Sequence, residues 1–320
     1  MAGAPVIVAV IVTRNSGEVI GQCLDALASM APQIVPIVVD NASTDDTLRR
    51  VREHDRVHVI ANTENRGFAG AVNQGVTCLT PGSNEAEFVL LLNPDVNLLT
   101  GVDKLVEASA QYGLASGKLV DLNGRTQAGF TIRRFPTASS LIFELFGINR
   151  LWRSNPVNRR YRYLDRNLEE AGEVEQPAGA FLMFRRDVWE SLDGMDDSFY
   201  PIWFEDVDFC RRAVDAGFHI QYLPEVVANH VGGHSIAKVP ANSRAVYWCV
   251  SLIRYASKHF RGPAYRTVCA AVVLSSLPRV VAGMIAERSL APISAYSQVV
   301  RFAGLCLVSF RGRGMRNIHL

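Results

Sequence analysis

Val6-Ile-Val-Ala-Val-Ile-Val-Thr13-Arg14-Asn15 is a continuous apolar run that stops on polar residues. A strand apolar at every position is buried on both faces, as in a parallel sheet covered by helices, so Pro5 to Val12 is predicted to be a central strand. The chain that follows fits this reading. Val19, Ile20, Cys23, Leu24 and Leu27 recur at helical spacing and predict a helix laying one stripe on the sheet. Ile37 to Asp40, Val57 to Ile60 and Phe88 to Leu92 predict further strands, with a helix from about Gly70 to Cys78 between the last two. Ser43, with Asp46 three positions on, predicts a capping-box-like start for a helix carrying Leu48 and Val51. Strands alternating with helices mark an α/β fold. Every polar cluster in this half falls at the carboxyl end of a strand, and open α/β sheets bind ligands in that crevice.

Further on, Phe199-Tyr-Pro-Ile-Trp-Phe-Glu205-Asp206-Val-Asp208-Phe-Cys-Arg211-Arg212 leads aromatic bulk into adjacent carboxylates at a predicted helix start. A helix N-terminus favours an ionised acid, and an ionised Asp at the edge of an apolar wall can take a proton from a hydroxyl. Helix capping uses the same residue types and is the simpler role for them. Glu205 and Asp206 project about 100 degrees apart on a helix, so they do not share one role. Asp208 has the ion-pair spacing to Arg212, and Gly217 is expected to close the helix.

In order along the chain come Val6 to Asn15, Val38-Val39-Asp40-Asn41-Ala-Ser43-Thr44-Asp45, Asn65-Arg66-Gly67-Phe68-Ala69-Gly70-Ala-Val-Asn73 and Leu90-Leu-Leu-Asn93-Pro94-Asp95. Gly179-Ala-Phe-Leu-Met, Glu205-Asp206 and His230-Val-Gly-Gly-His234-Ser235 complete the series. This succession resembles the inverting glycosyltransferases of family 2, which have the GT-A fold, and within them the rhamnosyltransferase-like branch, where Asn-Pro-Asp at the metal position is typical. The resemblance covers about Val6 to Ser235. It implies an α/β, Rossmann-like, mostly parallel sheet flanked by helices over residues 1–239; the family pattern fades over 127–176, expected as an acceptor-side insertion, and 240–320 is expected as a C-terminal helical appendage. It also implies inverting transfer of a single sugar from a nucleoside diphosphate sugar, with dTDP-L-rhamnose as first choice and a UDP-sugar as the alternative, and Mg²⁺ or Mn²⁺ as cofactor. The acceptor would be a polyprenyl-diphosphate-linked or growing glycan.

Carried over residue by residue, the resemblance has Asp40 accept a hydrogen bond from the imide N–H of uracil or thymine, flanked by Thr13 and Asn15. Arg14 lies over the base or reaches phosphate. For Asp40 and Asn41 an Asx turn is the structural alternative. Asn65, Arg66, Gly67 and Phe68 precede or open a helix whose backbone N–H groups could approach ribose or phosphate. Asn93 stands where the family has the first carboxylate of Asp-x-Asp, which leaves Asp95 as the expected direct metal ligand. His230 fits the family's His-x-x-Gly pattern as a further ligand. His234 remains the alternative for metal or diphosphate, with Ser235 near phosphate. Asp206 is the expected catalytic base, with Glu205 as the second catalytic carboxylate.

Composition sets the remaining bounds. With 320 residues at 48% hydrophobic content, the chain can bury a large core. The net charge of +2 hides an asymmetry: after Glu225 the only acidic residue is Glu287, against Arg254, Lys258, Arg261, Arg266, Arg279, Arg288, Arg301, Arg311, Arg313 and Arg316. Such a stretch points to an anionic partner. Six cysteines without paired spacing and no signal-peptide pattern predict a cytoplasmic protein. No Gly-x-Gly-x-x-Gly, Walker loop or nucleic-acid motif is present, which argues against nicotinamide enzymes, nucleotide triphosphatases and nucleic-acid binders. Thr13-Arg14-Asn15-Ser16-Gly17 is too sparse for a nucleotidyltransferase triphosphate loop, and Asp95 and Asp206 count against a silent binding module. Gln127 to Gln176 interleaves arginines with aromatic residues, a pattern suited to an acceptor diphosphate at a membrane surface or to a solvated covering helix. Beyond Pro240 the chain reads as helical. Val268 to Leu277 is short of the ~20 apolar residues of a spanning helix, and Pro278-Arg279 is expected to interrupt it. The prediction is a helix lying peripherally on the anionic inner face of the cell membrane, in competition with a helical hairpin or a homodimer surface.

Overall fold

The computed structural model describes residues 5–78 and 86–308. Its first part alternates as expected: β1 (Ile7–Thr13), α1 (Ile20–Met30), β2 (Val35–Asn41), α2 (Thr47–Val51), β3 (His58–Asn62), α3 (Gly67–Thr77) and β4 (Phe88–Leu92). Next come β5 (Val96–Leu98), α4 (Asp103–Tyr112), β6 (Gly113–Val120) and β7 (Ile132–Arg133). Short helices α5 (Ala138–Leu145), α6 (Ile148–Leu151) and α7 (Pro156–Tyr161) precede β8 (Gly172–Glu173), β9 (Gln176–Pro177), β10 (Phe181–Arg185) and α8 (Arg186–Ser191). The chain then forms α9 (Glu205–Asp215), β11 (His219–His230), α10 (His234–Ala237), α11 (Ala241–His259), α12 (Gly262–Glu287) and α13 (Ala291–Val308).

The chain divides into two compact units. The first holds the residues up to Phe135 together with Arg162–Asp197 and Glu205–Ser235; the second holds Pro136–Tyr161, Ser198–Phe204 and the chain from Ile236. The stretch 127–176, expected as one insertion, is thus shared between the units.

In the first unit, nine strands among the described residues form one sheet in the order β3-β2-β1-β4-β10-β6-β11-β5, with β8 paired to β11. β1 is buried at every position, and its pairings with β2 and β4 are parallel. α1 buries Ile20, Cys23, Leu24 and Leu27, the stripe that its periodicity predicted. The expectation of a mostly parallel sheet holds for this half alone. β10 enters antiparallel between β4 and β6, and β11 runs parallel to β6 but antiparallel to β5 and β8. The sheet is therefore mixed.

Two local expectations are corrected. The Ser43–Asp46 capping box does not form: Asp45 Oδ1 accepts the Thr47 N–H at 3.0 Å, while the Ser43 hydroxyl donates to Asp40 and Asp46 pairs with Arg49 and Arg50. Nor is α12 interrupted at Pro278. The hydrogen bond that proline removes is the one to the carbonyl four residues back, that of Leu274, a residue 58% exposed. The loss falls on the exposed side and the helix continues. α12 as a whole is thus long and apolar enough to cross a membrane by length and composition, and so, independently, is α13.

Gly117 lies where β6 meets β10 and β11. A Cβ there would sit 2.3 Å from the Val226 carbonyl oxygen and 2.4 Å from the Phe181 ring. Gly117→Ala is expected to lower stability by about 1–3 kcal/mol through overpacking, read as a lower urea midpoint at unchanged slope.

Candidate functional site

The loops after β1 and β2 are fastened into one ledge. Thr13 Oγ1 donates to Asp40 Oδ1 at 2.9 Å, and the Ser43 N–H donates to Asp40 Oδ2 at 3.0 Å. Asp40 is 1% exposed. Asn15 takes a left-handed backbone, φ 52°, which Asn tolerates better than most residues. Its N–H donates to Ser43 Oγ at 2.8 Å, and its Oδ1 accepts the Thr44 N–H at 2.8 Å. Asn41 extends the ledge to the third loop: its Nδ2 donates to Asn65 Oδ1 at 2.8 Å and to the Gly67 carbonyl at 3.1 Å, and its Oδ1 accepts the Arg66 N–H at 2.8 Å. Thr13, Asn15, Asp40, Asn41, Asn65, Arg66 and Gly67 thus come together. Arg14 and Arg66 are exposed on this ledge and Phe68 is half-buried. The amides of Asn15, Asn41 and Asn65 hold the loops to one another.

The Asn93-Pro94-Asp95 turn closes with the Val96 N–H donating to the Asn93 carbonyl at 3.1 Å. β5 then pairs with the end of β11, Val96 opposite His230, and the Val231 N–H donates to the Asp95 carbonyl at 3.1 Å. This pairing sets His230 Nε2 3.6 Å from Asp95 Oδ1, with side chains only 5% and 7% exposed. Burial holds the His230 pKa below the usual imidazole value, opposed by the Asp95 charge. Phe130 stacks on that ring with centroids 4.9 Å apart. His234 begins α10, and its side chain and that of Ser235 lie outside the described residues.

Among the described residues no three His, Cys, Asp or Glu side chains gather as a metal cage. The Asp95–His230 pair nevertheless fits a divalent ion of the kind that takes one or two protein ligands and completes its shell with phosphate oxygens and water. Ligands at ~2.1 Å from such an ion lie on the order of 3 Å apart, close to the separation here.

At the start of α9 the two carboxylates have different surroundings. Glu205 is 4% exposed, and its Oε2 has no hydrogen-bond partner. Burial, and secondarily the Asp206 charge, pushes its pKa well above the usual carboxylate value. Asp206 is half-buried. Its Oδ2 accepts the Gly179 N–H at 3.0 Å and its Oδ1 the Val207 N–H at 2.8 Å. Gly179 is required for this approach, because a Cβ there would lie 2.7 Å from Asp206 Cβ. Asp208 is fully buried against Arg212 at 2.8 Å, and Arg212 also donates to the Leu192 and Gly194 carbonyls. Asp208 is therefore part of the scaffold.

One short segment ties the two ends of the site together. The Gly179 N–H binds Asp206, and the neighbouring Ala180 carbonyl accepts the Asn93 N–H at 3.0 Å. Three residues to which no role was given from sequence also act here. Gly179 seats Asp206, Gln127 bonds His230, and Asn73 on α3 bonds Met195 and Asp197. Only Gly179 carried a signal, a glycine directly ahead of an apolar strand.

A family model for glycosyltransferase-like family 2 matches residues 4–247. The chain belongs to this family. Rhamnosyltransferase WbbL of Escherichia coli K12 is 28% identical over 154 residues, a stretch covering 46% of this chain and 53% of that protein; the match thus spans about half of the relative's length. A mannosyltransferase of Pyrobaculum calidifontis, solved with GDP-Man and Mn²⁺, superposes with a TM-score of 0.52 at 16% identity, over 95% of this chain and 87% of that one. A fragment of Staphylococcus aureus TarS, solved with UDP, gives 0.50 at 16% identity over 92% and 90%. At such identity these two structures bear on the fold, which is GT-A.

In this family 2 glycosyltransferase the buried Glu205 has a stability signature. A carboxyl whose pKa is higher folded than unfolded weakens folding as pH rises from about 4.5, its ordinary value, through the raised folded value. Glu205→Gln removes that loss. Its melting temperature is expected to exceed that of the unsubstituted protein by about 2–4 °C near neutral pH, with the gap widening as pH rises through that window in scanning calorimetry. A gap independent of pH would contradict the burial argument.

Proposed function

We propose that this chain transfers a single sugar, with inversion, from a nucleoside diphosphate sugar to a hydroxyl of a lipid-linked or growing cell-surface glycan, with Asp206 as base. The observation that supports this best is the Gly179–Ala180 segment, which holds the Asp206 carboxylate with one residue and the Asn93–Asp95 turn with the next. A proton acceptor and a diphosphate-holding end are thereby fixed to one rigid strand start. Asp206 takes the proton of the acceptor hydroxyl as its oxygen bonds to the anomeric carbon, and the bond from that carbon to the diphosphate oxygen breaks on the opposite face. Burial disfavours the charged form of Glu205, which leaves Asp206 as the better-suited proton acceptor of the two. Asp95 and His230 would hold a divalent ion, which when bound neutralises charge on the departing diphosphate. Mg²⁺ prefers oxygen ligands, so the nitrogen of His230 favours Mn²⁺ of the two.

The likeness to a rhamnosyltransferase supports dTDP-L-rhamnose as first donor, and the nucleotides held by the structural relatives, GDP-Man and UDP, support a nucleoside diphosphate leaving group. A UDP-sugar is the second reading, because uracil and thymine present the same imide N–H. A donor panel assayed for nucleoside diphosphate release, with and without lipid-linked acceptors, tests the proposal. Acceptor-dependent release from at least one donor is expected, and none from any would overturn it. With the best donor, Asp206→Asn is expected to lower turnover roughly 10²-fold or more while donor binding is little altered. Near-normal turnover in that variant would remove Asp206 as the base.

The second unit carries features suited to a membrane surface. Leu274, Leu277, Val281 and Ile285 lie on one face of α12 and are 53–73% exposed, with Arg266, Arg288 and Arg301 also exposed. Apolar stripes with basic flanks suit a helix in the interface of an anionic bilayer. The arginines of 127–176 contribute less than their number promised: Arg133 bonds the Gly129 carbonyl, Arg134 pairs with Asp165 and Arg166 bonds the Glu173 carbonyl. Arg150, Arg153 and Arg159 are exposed and suit an acceptor diphosphate. Full-length protein is expected to bind anionic vesicles, to be released by raised salt, since exposed charge is screened over ~10 Å at 0.1 M, and to bind less when Leu277 and Ile285 are both changed to Glu. Retention through salt and alkaline washing would mean that α12 and α13 cross the bilayer.

A further inference from the structure

Gln127 meets His230 twice, 103 residues away along the chain. Its Nε2 donates to the His230 carbonyl oxygen at 2.8 Å, and its Oε1 lies 2.9 Å from His230 Nδ1. The first bond decides the second. A backbone carbonyl only accepts, so the amide turns its nitrogen towards it, and the amide oxygen, which also only accepts, is left against the ring. Nδ1 must then carry the hydrogen. In the neutral ring the other nitrogen is a bare lone pair, and that nitrogen is the one 3.6 Å from Asp95 Oδ1. In that neutral form, the one that ligates a metal, two acceptors face each other across a gap that has no hydrogen to share and that a cation completes. Gln127 is itself fixed by its backbone, its N–H donating to the Leu119 carbonyl at 2.9 Å and its carbonyl accepting from Phe130 and Thr131 at 3.0 Å.

We infer that Gln127 is a positioning residue that locks His230 as the Nδ1–H tautomer and so keeps Nε2 open for the divalent ion. This rests on the reading of Asp95 and His230 as the metal pair. Without Gln127 the ring is free to carry its hydrogen on Nε2, where it would be donated to Asp95 and would close the gap. Partners that orient a ligating histidine are commonly worth 10–100-fold in metal affinity.

Two measurements on full-length protein test this. In metal-free protein labelled with ¹⁵N-histidine, NMR assigned with a His230→Asn variant is expected to show Nδ1 protonated, and Gln127→Leu to move the hydrogen towards Nε2. Titration with Mn²⁺ alone, followed by EPR, is expected to show Gln127→Leu weakened roughly 10–100-fold. Gln127→Glu, which still accepts from Nδ1–H though it cannot donate to the His230 carbonyl, is expected to keep the hydrogen on Nδ1 and to bind Mn²⁺ more tightly than the Leu variant does. Gln127→Met is run beside Gln127→Leu, each checked by thermal melting, so that a folding failure in one leaves the other to decide. Folded Leu or Met variants that keep the Nδ1–H tautomer and full Mn²⁺ affinity would overturn the inference, as would equal loss in Leu and Glu variants with an unchanged tautomer. If the unsubstituted protein binds Mn²⁺ no better than Asp95→Ala, the metal reading itself fails, and the metal-free spectra still decide whether Gln127 sets the tautomer.

Discussion

The pairing of Val96–Leu98 with the end of β11 is the constraint on which the site depends. Asp95 precedes one strand and His230 ends the other, so their meeting is a matter of strand register. A slip of one residue would turn His230 to the opposite face of the sheet. The register is held from outside the pair as well: the Leu99 N–H donates to the Val227 carbonyl at 2.9 Å, and the Val227 N–H donates to Thr100 Oγ1 at 2.9 Å. Backbone pairing, which is rigid, thereby fixes two side chains that would otherwise repel any common position.

Around that pair, side-chain amides hold the loops in place. Asn15, Asn41, Asn65 and Asn73 all carry amides that both donate and accept, and the structure uses them to tie loops to loops and α3 to the chain ahead of α9. Buried amides must be paired or they weaken the fold, so a loop held by several such bonds resists displacement. The two carboxylates of α9 differ in their surroundings. Glu205 is enclosed and lacks a partner for one oxygen, whereas Asp206 is half-buried and held by backbone N–H groups, so only Asp206 combines fixed position with access.

The segment leading into α9 stores backbone strain. Trp203 and Phe204 have φ of 81° and 70°, a region costly for bulky side chains. Within the second unit, α11 grips this segment: Ser251 Oγ donates to the Ile202 carbonyl at 3.1 Å, Arg254 to the Tyr200 carbonyl at 3.2 Å, and the Phe204 ring packs on Tyr255 at 5.4 Å. Such contacts offset the strain.

The apolar run into Thr13, the polar stops at Asp40 and Asn93, and the stripe on α1 were legible in the sequence because they are local: periodicity reports which face of an element is buried, and a strand's end is marked where apolar residues cease. Order along the chain also carried the family. The antiparallel entry of β10, the seating of Asp206 on Gly179, and the meeting of Gln127 with His230 were decided only by the tertiary structure. Each joins residues whose own neighbourhoods are unremarkable, and α12 continues through Pro278 because of where Leu274 faces. Periodicity fixes the face of a strand but leaves open which strand it pairs with and in what register, so the scaffold could be read from the residues while the contacts that make the site had to come from packing.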